Sequence, residues 1–336
     1  MRGVEVLEVL APGLLTTVQD LGRFGFGVYG VAPSGALDSF ALRIGNLLVG
    51  NPETEAGLET TLLGLRLKVL RDMVIAVTGA DLQAQVNKQP APIWQSQRVK
   101  AGDVIAFAGP ISGCRAYLTW AGGIEVDAIM SSKSTNLASG FGGYLGRPLQ
   151  KGDVLRALPV AGPLPAAGRS FPTNWIPRYP SRWTLRVVWG PQDEDFSEAG
   201  RRAFLHGVFA VSSQSDRTGI RLEGPVIQRR PQVPESIVSE GLVAGALQVP
   251  GDGQPIIILG ETVTGGYRKI AAVITADLPL LGQIKPGDTV GFEVVSVEEA
   301  HLALREREER IRIFADKTRA IDHELSTMRC RPPNQE

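Results

Sequence analysis

The densest grouping of reactive side chains lies in the second half of the 336-residue chain. Ser212-Ser213-Gln214-Ser215-Asp216-Arg217-Thr218-Gly219 puts an amide, a carboxylate and a guanidinium into one loop. Ser239-Glu240-Gly241 follows, then Gln248 ahead of Pro250-Gly251-Asp252-Gly253, then Thr264-Gly265-Gly266-Tyr267-Arg268-Lys269, with Asp277 eight positions beyond Lys269. A lysine aimed at a carbonyl oxygen polarises it, and a carboxylate beside it moves a proton. So many polar groups between strongly apolar stretches suggest a site at the mouth of a barrel. The plainer alternative is that Asp216 and Arg217 form a structural ion pair and that Asp252-Gly253 is a hairpin turn.

Two further polar clusters precede this one. Pro12-Gly13-Leu14-Leu15-Thr16-Thr17-Val18-Gln19-Asp20-Leu21-Gly22-Arg23 leads to Gly30-Val31-Ala32-Pro33-Ser34-Gly35-Ala36-Leu37-Asp38. Here Arg23 and Asp38 could bind a carboxylate and orient a donor. Equally, Gln19, Asp20 and Asp38 could satisfy loop amides and cap the following helix. Ser131-Ser132-Lys133-Ser134-Thr135, followed by the glycine-rich run 140–146, could cradle an anion around Lys133 through backbone amides, or form an ordinary surface loop. The sequence has no Gly-x-x-x-x-Gly-Lys-Ser/Thr loop, no Gly-x-Gly-x-x-Gly after a strand and no His-Glu-x-x-His, and it lacks the Met-Lys-Met of a biotin carrier, so no covalent biotin is expected. Three histidines and two cysteines leave few metal ligands and write no disulfide framework, so no metal is expected.

The elements that must position these groups read as mostly β. Val74-Ile75-Ala76-Val77-Thr78, Ala116-Tyr117-Leu118-Thr119-Trp120, Thr184-Leu185-Arg186-Val187-Val188-Trp189 and Pro255-Ile256-Ile257-Ile258-Leu259 are short β-branched or aliphatic runs bounded by Gly, Pro and Asp. Leu65-Arg66-Leu67-Lys68-Val69-Leu70 alternates apolar and basic positions, as a strand with one buried face does. A Lys-x-Gly-Asp phrase at 100–103 and 285–288, with a shorter echo at 151–153, reads as a tight turn feeding a strand. Helices are expected over 39–49 and 195–205, the second with Ser197 as its cap. Six prolines within 156–183 mark an extended connector lying on the surface. The expected organisation is an N-terminal β domain at 1–155, the connector at 156–183, a β-barrel at 184–297, a charged amphipathic helix at 298–331 and a disordered tail at 332–336. That helix is read either as packed on its own domain or as a partner-binding surface. Thirty-five basic residues balance thirty-five acidic ones, which argues against nucleic-acid or acidic-membrane binding. With no apolar run long enough to span a bilayer and an opening too short and charged for a secretory signal, a cytoplasmic location is expected.

The run from Pro12 to Arg23 resembles the opening of the biotin-dependent carboxyltransferase family, also called allophanate hydrolase subunit 2 or the C subunit of 5-oxoprolinase. Ser34-Gly35-Ala36-Leu37-Asp38, Asn46-Leu47-Leu48-Val49-Gly50-Asn51-Pro52, Thr78-Gly79-Ala80-Asp81, Ala121-Gly122-Gly123-Ile124, Gln214-Ser215-Asp216-Arg217 and Thr264-Gly265-Gly266-Tyr267 resemble its later blocks in order. The sequence departs from the pattern at Phe24 and Arg268, where proline is common, and in its long charged tail. The resemblance implies two β-barrel-like domains of cyclophilin-like architecture. It also implies a partner of the allophanate hydrolase subunit 1 type and a third subunit, forming an ATP-dependent 5-oxoprolinase that opens 5-oxo-L-proline to glutamate. ATP would then be bound by a partner subunit. The alternatives it carries are a carboxyltransferase component moving CO2 from carboxybiotin to urea or a related amide, and a non-catalytic regulatory subunit that antagonises a kinase inhibitor.

Both enzymatic readings activate a resonance-stabilised amide-like group. Resonance makes its carbonyl a poor electrophile and its nitrogen a poor nucleophile, so a cation at the oxygen and a base at the nitrogen help both. On that footing Lys269 is expected to polarise the oxygen and Asp216 or Glu240 to handle the proton. Gln214, Arg217, Gln248, Tyr267, Asp277, Arg23 and Lys133 are expected to hold the substrate.

Overall fold

The computed structural model describes residues 3–160 and 164–329. Eleven strands make up the first half: β1 (Val4–Pro12), β2 (Leu15–Gln19), β3 (Gly57–Thr61), β4 (Leu65–Val69), β5 (Met73–Asp81), β6 (Ala84–Val86), β7 (Gln89–Pro90), β8 (Gln95–Val99), β9 (Val104–Phe107), β10 (Ser112–Trp120) and β11 (Val154–Ala157). They form a six-stranded sheet in the order β11-β1-β4-β9-β6-β7 and a five-stranded sheet in the order β2-β3-β10-β5-β8. The alternation expected around 65–70 is real: Leu65, Leu67 and Val69 are buried while Arg66 and Lys68 face solvent. Those apolar residues, with Leu7, Ile105 and Phe107, pack against Leu58, Ile75, Leu118 and Trp120 of the other sheet as one core. β5 and β10 are buried on both faces, which is why they read as continuous apolar runs rather than alternating ones. Their outer face is covered by α1 (Ser39–Leu48), whose Ala41 amide donates to the capping Asp38 carboxylate at 2.9 Å.

The second half closes on itself. β12 (Arg182–Trp189), α2 (Glu198–His206), β13 (Phe209–Val211), β14 (Gly219–Glu223), β15 (Glu240–Gly241), β16 (Ala246–Val249), β17 (Ile256–Ile258), β18 (Thr264–Gly265), β19 (Arg268–Val273) and β20 (Thr289–Val294) follow in turn. Seven of these strands form a closed barrel in the order β12-β19-β16-β17-β14-β13-β20, sealed by parallel pairing of β12 with β20 from Arg182↔Thr289 to Val187↔Val294. β15 and β18 stand apart as a two-stranded ribbon. Ser197 caps α2 as expected, accepting from the Gly200 amide at 3.0 Å.

The recurrent Gly-Asp phrase is one physical device used three times. Gly102, Gly152 and Gly287 hold φ of +95°, +89° and +91°, a region that costs a side chain but not glycine. The following Asp103, Asp153 and Asp288 each accept a hydrogen bond from the amide three residues earlier, at 2.7, 2.7 and 3.1 Å. Each turn then enters β9, β11 or β20.

The stretch 156–183, expected as a surface connector, is mostly exposed or half-buried where described, and is anchored by Phe171, buried between Trp94, Phe40 and Phe314. The C-terminal helix, α3 (Val297–Arg329), leaves the barrel and lies across α1 of the first half rather than resting on its own domain alone. Ile311, Phe314 and Ala315 supply its apolar contact there, and Arg43 of α1 pairs with Glu308 at 2.8 Å. The tail expected at 332–336 lies outside the described residues.

Candidate functional site at the barrel end

Lys269 is the second residue of β19 and faces Gln248 of β16 across the barrel wall. The pairing of these strands shifts register between Leu247 and Gln248, so Ile270 is the extra residue of a bulge. A bulge of this kind re-aims the side chains beside it. The Lys269 ammonium is almost wholly buried and pairs with the Glu240 carboxylate of the ribbon, which faces solvent. Gln192, in the loop after β12, ties the two together. Its side-chain oxygen accepts from the Lys269 amide at 3.0 Å and its nitrogen donates to Glu240 at 2.9 Å. Hydrogen bonds from Lys269 and then Gln192 hold the Glu240 carboxyl below its ordinary range. Next to them Gln248 donates to the Tyr267 carbonyl at 3.3 Å, while the half-exposed Tyr267 side chain lines a groove of about 390 Å³ shared with Gln214, Arg221 and Asp252. An ammonium whose carboxylate partner is on the surface can exchange that partner for an incoming oxyanion or carbonyl oxygen.

The structure thus gathers Lys269, Glu240, Gln248 and Tyr267, with Gln214 on the adjoining groove. It places the other expected residues elsewhere. Asp216 does not pair with Arg217; it accepts from the Thr218 and Gly219 amides at 2.7 and 3.1 Å and shapes its own turn. Asp277 is buried against Arg186 at 2.5 Å. Arg23 is buried under the Phe141 ring at 4.8 Å and donates to the Ser134 carbonyl. Lys133 donates to Glu55 at 2.5 Å and to the Ile124 carbonyl at 2.9 Å. The hydroxyls around it serve Asp20, which accepts from Ser132 at 2.7 Å and Ser134 at 2.5 Å.

Arg217 has a different task, joining the two halves. It leaves the loop before β14 and pairs with Glu59 of β3 and with Glu261, and donates to the Gly35 carbonyl at 2.7 Å. Glu59 also accepts from the Tyr117 hydroxyl at 2.7 Å and from the Leu37 amide at 2.9 Å. Beside it Asp38 accepts from Gln283 at 2.7 Å and from Tyr179 at 3.1 Å. The cluster holds three carboxylates against two guanidiniums, Arg217 and Arg115, so the acids divide. Burial alone would raise Glu59, but Arg217 and Arg115 outweigh it and hold the carboxyl below its ordinary value. Burial prevails at Glu261, which is raised, and at Asp38, which no cation touches and which is pushed up to about 6. Sequence reasoning missed Gln192, Glu59, Glu261 and Gln283. Only Glu59 carried a signal, as a lone acid between Leu58 and Thr60 in a strand where burial demands a partner.

Among the described residues no group of three or more His, Cys, Asp or Glu lies together as a metal site, and no helix is long and apolar enough to cross a membrane. Residues 29–294 match the family described as carboxyltransferase domain, subdomain A and B, and the chain belongs to it. Its relatives are more particular. It is 38% identical to the C subunit of 5-oxoprolinase from Escherichia coli K12 over 92% of this chain and 96% of that protein. Among solved structures it resembles urea amidolyase of Kluyveromyces lactis, with a TM-score of 0.87 and 33% identity over 94% of this chain, but spans only 20% of that one. TTHA0988 is similar at a TM-score of 0.77 and 36% identity over 87% of this chain, which fills 56% of that protein.

Proposed function

We propose that this chain is the C subunit of a 5-oxoprolinase-type hydrolase, a complex that opens the lactam of 5-oxo-L-proline to L-glutamate. The observation that carries the reading is the Lys269–Glu240–Gln192 arrangement at the barrel end, in a chain that the Escherichia coli 5-oxoprolinase protein matches over nearly its whole length. Lys269 polarises the lactam oxygen and Glu240 transfers the proton at nitrogen. Gln248, Tyr267 and Gln214 hold the substrate. Asp216 is committed to its turn, so Glu240 alone takes the acid–base part. Arg217, Asp277, Arg23 and Lys133 support the scaffold. The phosphoryl chemistry drawn from ATP falls to an allophanate hydrolase subunit 1-type partner and a third subunit, in the cytoplasm.

The test is co-expression with those two partners and an assay for ATP-dependent glutamate release from 5-oxo-L-proline. Lys269→Met removes release while the complex still assembles. Full activity in that variant rules out this role for the lysine.

A second reading, carboxyl transfer to urea or a related amide, draws on the resemblance to urea amidolyase. The buried Lys269 ammonium, opposed by one solvent-facing carboxylate, suits an anionic carboxyl group, so Lys269 and Gln248 would hold that of a carboxybiotin borne by another component. An assembled complex that releases no glutamate, yet forms a carboxylated urea in the presence of free carboxybiotin, selects this reading.

A further inference from the structure

We infer that the loop 24–30 is the surface on which a second subunit of the complex docks, a partner presenting an uncharged apolar hollow; this rests on the multisubunit reading above. The loop reads Phe24-Gly25-Phe26-Gly27-Val28-Tyr29-Gly30. It is built rather than slack. The Arg23 amide donates to the Pro33 carbonyl at 2.8 Å and closes the base. Inside, the Tyr29 and Gly30 amides donate to Phe26 and Gly27, both at 3.0 Å. Arg23 fixes the root from below, buried against Phe141 and Ser134. Yet Phe24, Val28 and Tyr29 are 71%, 86% and 79% exposed. An ordered loop that holds large apolar side chains in water marks an interaction site, and aromatic residues are the usual anchors of one.

The surroundings narrow the partner. From 24 to 37 the chain carries no charged residue, so the loop offers nothing to steer an ion. The loops touching Arg23 carry exposed Met130 and Leu145 of their own, beside a groove that holds Glu5, Glu125, Asp127 and Arg156. The far end of the loop is tied to the functional site: the Ser34 amide donates to the Gly260 carbonyl at 2.9 Å, and the chain from Gly260 runs into β18, which pairs with β15 and Glu240. The segment that follows the loop is thus fastened to the chain leading into that ribbon. The occupant has a precedent in TTHA0988, where a unit like this one shares a polypeptide with a remainder this chain does not cover. Here the corresponding companion binds in trans.

The experiment is titration calorimetry of the full chain with an allophanate hydrolase subunit 1-type protein, alone and within the three-subunit glutamate-release assay. Phe24→Ser/Tyr29→Ser weakens binding at least about thirtyfold, each aromatic counting for tenfold or a little less. Ile111→Ser, an equally exposed apolar position outside the loop, leaves affinity unchanged. Wild-type affinity changes less than about threefold between low and high salt, as an uncharged contact requires. Circular dichroism melting confirms that each variant is folded. Equal binding by the loop variant, with glutamate release intact, overturns the docking surface alone. A steep salt dependence overturns it as well. Failure of the wild-type chain both to bind and to support release overturns the multisubunit reading, and this surface with it.

Discussion

Asp38 offers a quantitative test of how the two halves are joined. Its carboxylate is buried where α1, the connector and the 3-10 turn of residues 278–283 meet, and it accepts from Ala41, Tyr179 and Gln283. Glu59 is the charge that acts on it, Arg186, Glu306, Arg307 and Arg310 line the cavity it shares, and only neutral donors touch it. Burial raises it from an ordinary 3.8 to about 6. The folded protein thus binds this proton more tightly than the unfolded chain does. The stability it confers is full below about pH 3.8 and is lost as pH rises through about 6. The gap between the two values corresponds to roughly 3 kcal/mol, of which about 2 kcal/mol falls between about pH 4.5 and 7.5. Asp38→Asn removes the titration. It also sets a donor against Gln283, whose oxygen is already committed to the Cys114 and Arg115 amides at 3.0 and 3.1 Å, but that penalty does not vary with pH. Glu261 titrates in both proteins, and Glu59, held below its ordinary value, stays ionised across most of that range. Urea unfolding followed by tryptophan fluorescence, across that pH range, should show wild type losing about 2 kcal/mol relative to the variant as pH rises. A difference that is flat, or that grows in favour of wild type, refutes the reasoning.

Three further predictions follow from the geometry. Arg217→Met leaves Glu261 without a cation and Glu59 with Arg115 alone, and costs about 3–5 kcal/mol in urea unfolding; a loss under about 1 kcal/mol contradicts the junction between the halves. Gln192→Leu removes the amide bridge that orients the Lys269–Glu240 pair while leaving the pair itself, and lowers glutamate release by the reconstituted complex about a hundredfold, with an unchanged melting temperature; undiminished release removes Gln192 from the positioning of the pair. Phe314→Ala hollows the contact between α3 and α1 and costs about 3–5 kcal/mol, read from the same unfolding curves, whereas an exposed, uninvolved Phe314 would show almost no change.

Local chemistry was readable in the sequence. The Gly-Asp turns, the Asp38 and Ser197 caps and the alternation around Leu67 each depend on neighbours within a few positions, and all stand where spacing placed them. Within the polar cluster, the grouping of Lys269, Glu240 and Gln248 was legible because each lies beside an apolar strand that had to enter the barrel. What escaped was long-range. Arg217 looks like a ligand-binding guanidinium until Glu59, 158 positions away, is brought to it. Asp277 looks available until Arg186 arrives from β12. Nothing near Gln192 announces that its amide spans Lys269 and Glu240, because that bridge exists only once the barrel has closed. The charged pattern of α3 was plain, but which surface it covers depends on Phe40, Leu47 and Phe171 being assembled first.

That last dependence sets an order of events during synthesis. α1 emerges from the ribosome early, yet the residues of α3 that complete its cover come roughly 270 positions later, a wait of about 15–55 s at ordinary bacterial rates. The barrel waits for a shorter stretch, since β12 cannot be sealed until β20, roughly 100 positions later, has been made. Once Phe171 and β12 have emerged, the nascent chain shows an unfinished aromatic surface around Phe40, Trp94 and Phe171 and an unpaired strand edge. Holding chaperones should therefore act on this protein chiefly while it is being translated, and a chain halted before Phe314 should be their longest-lived client.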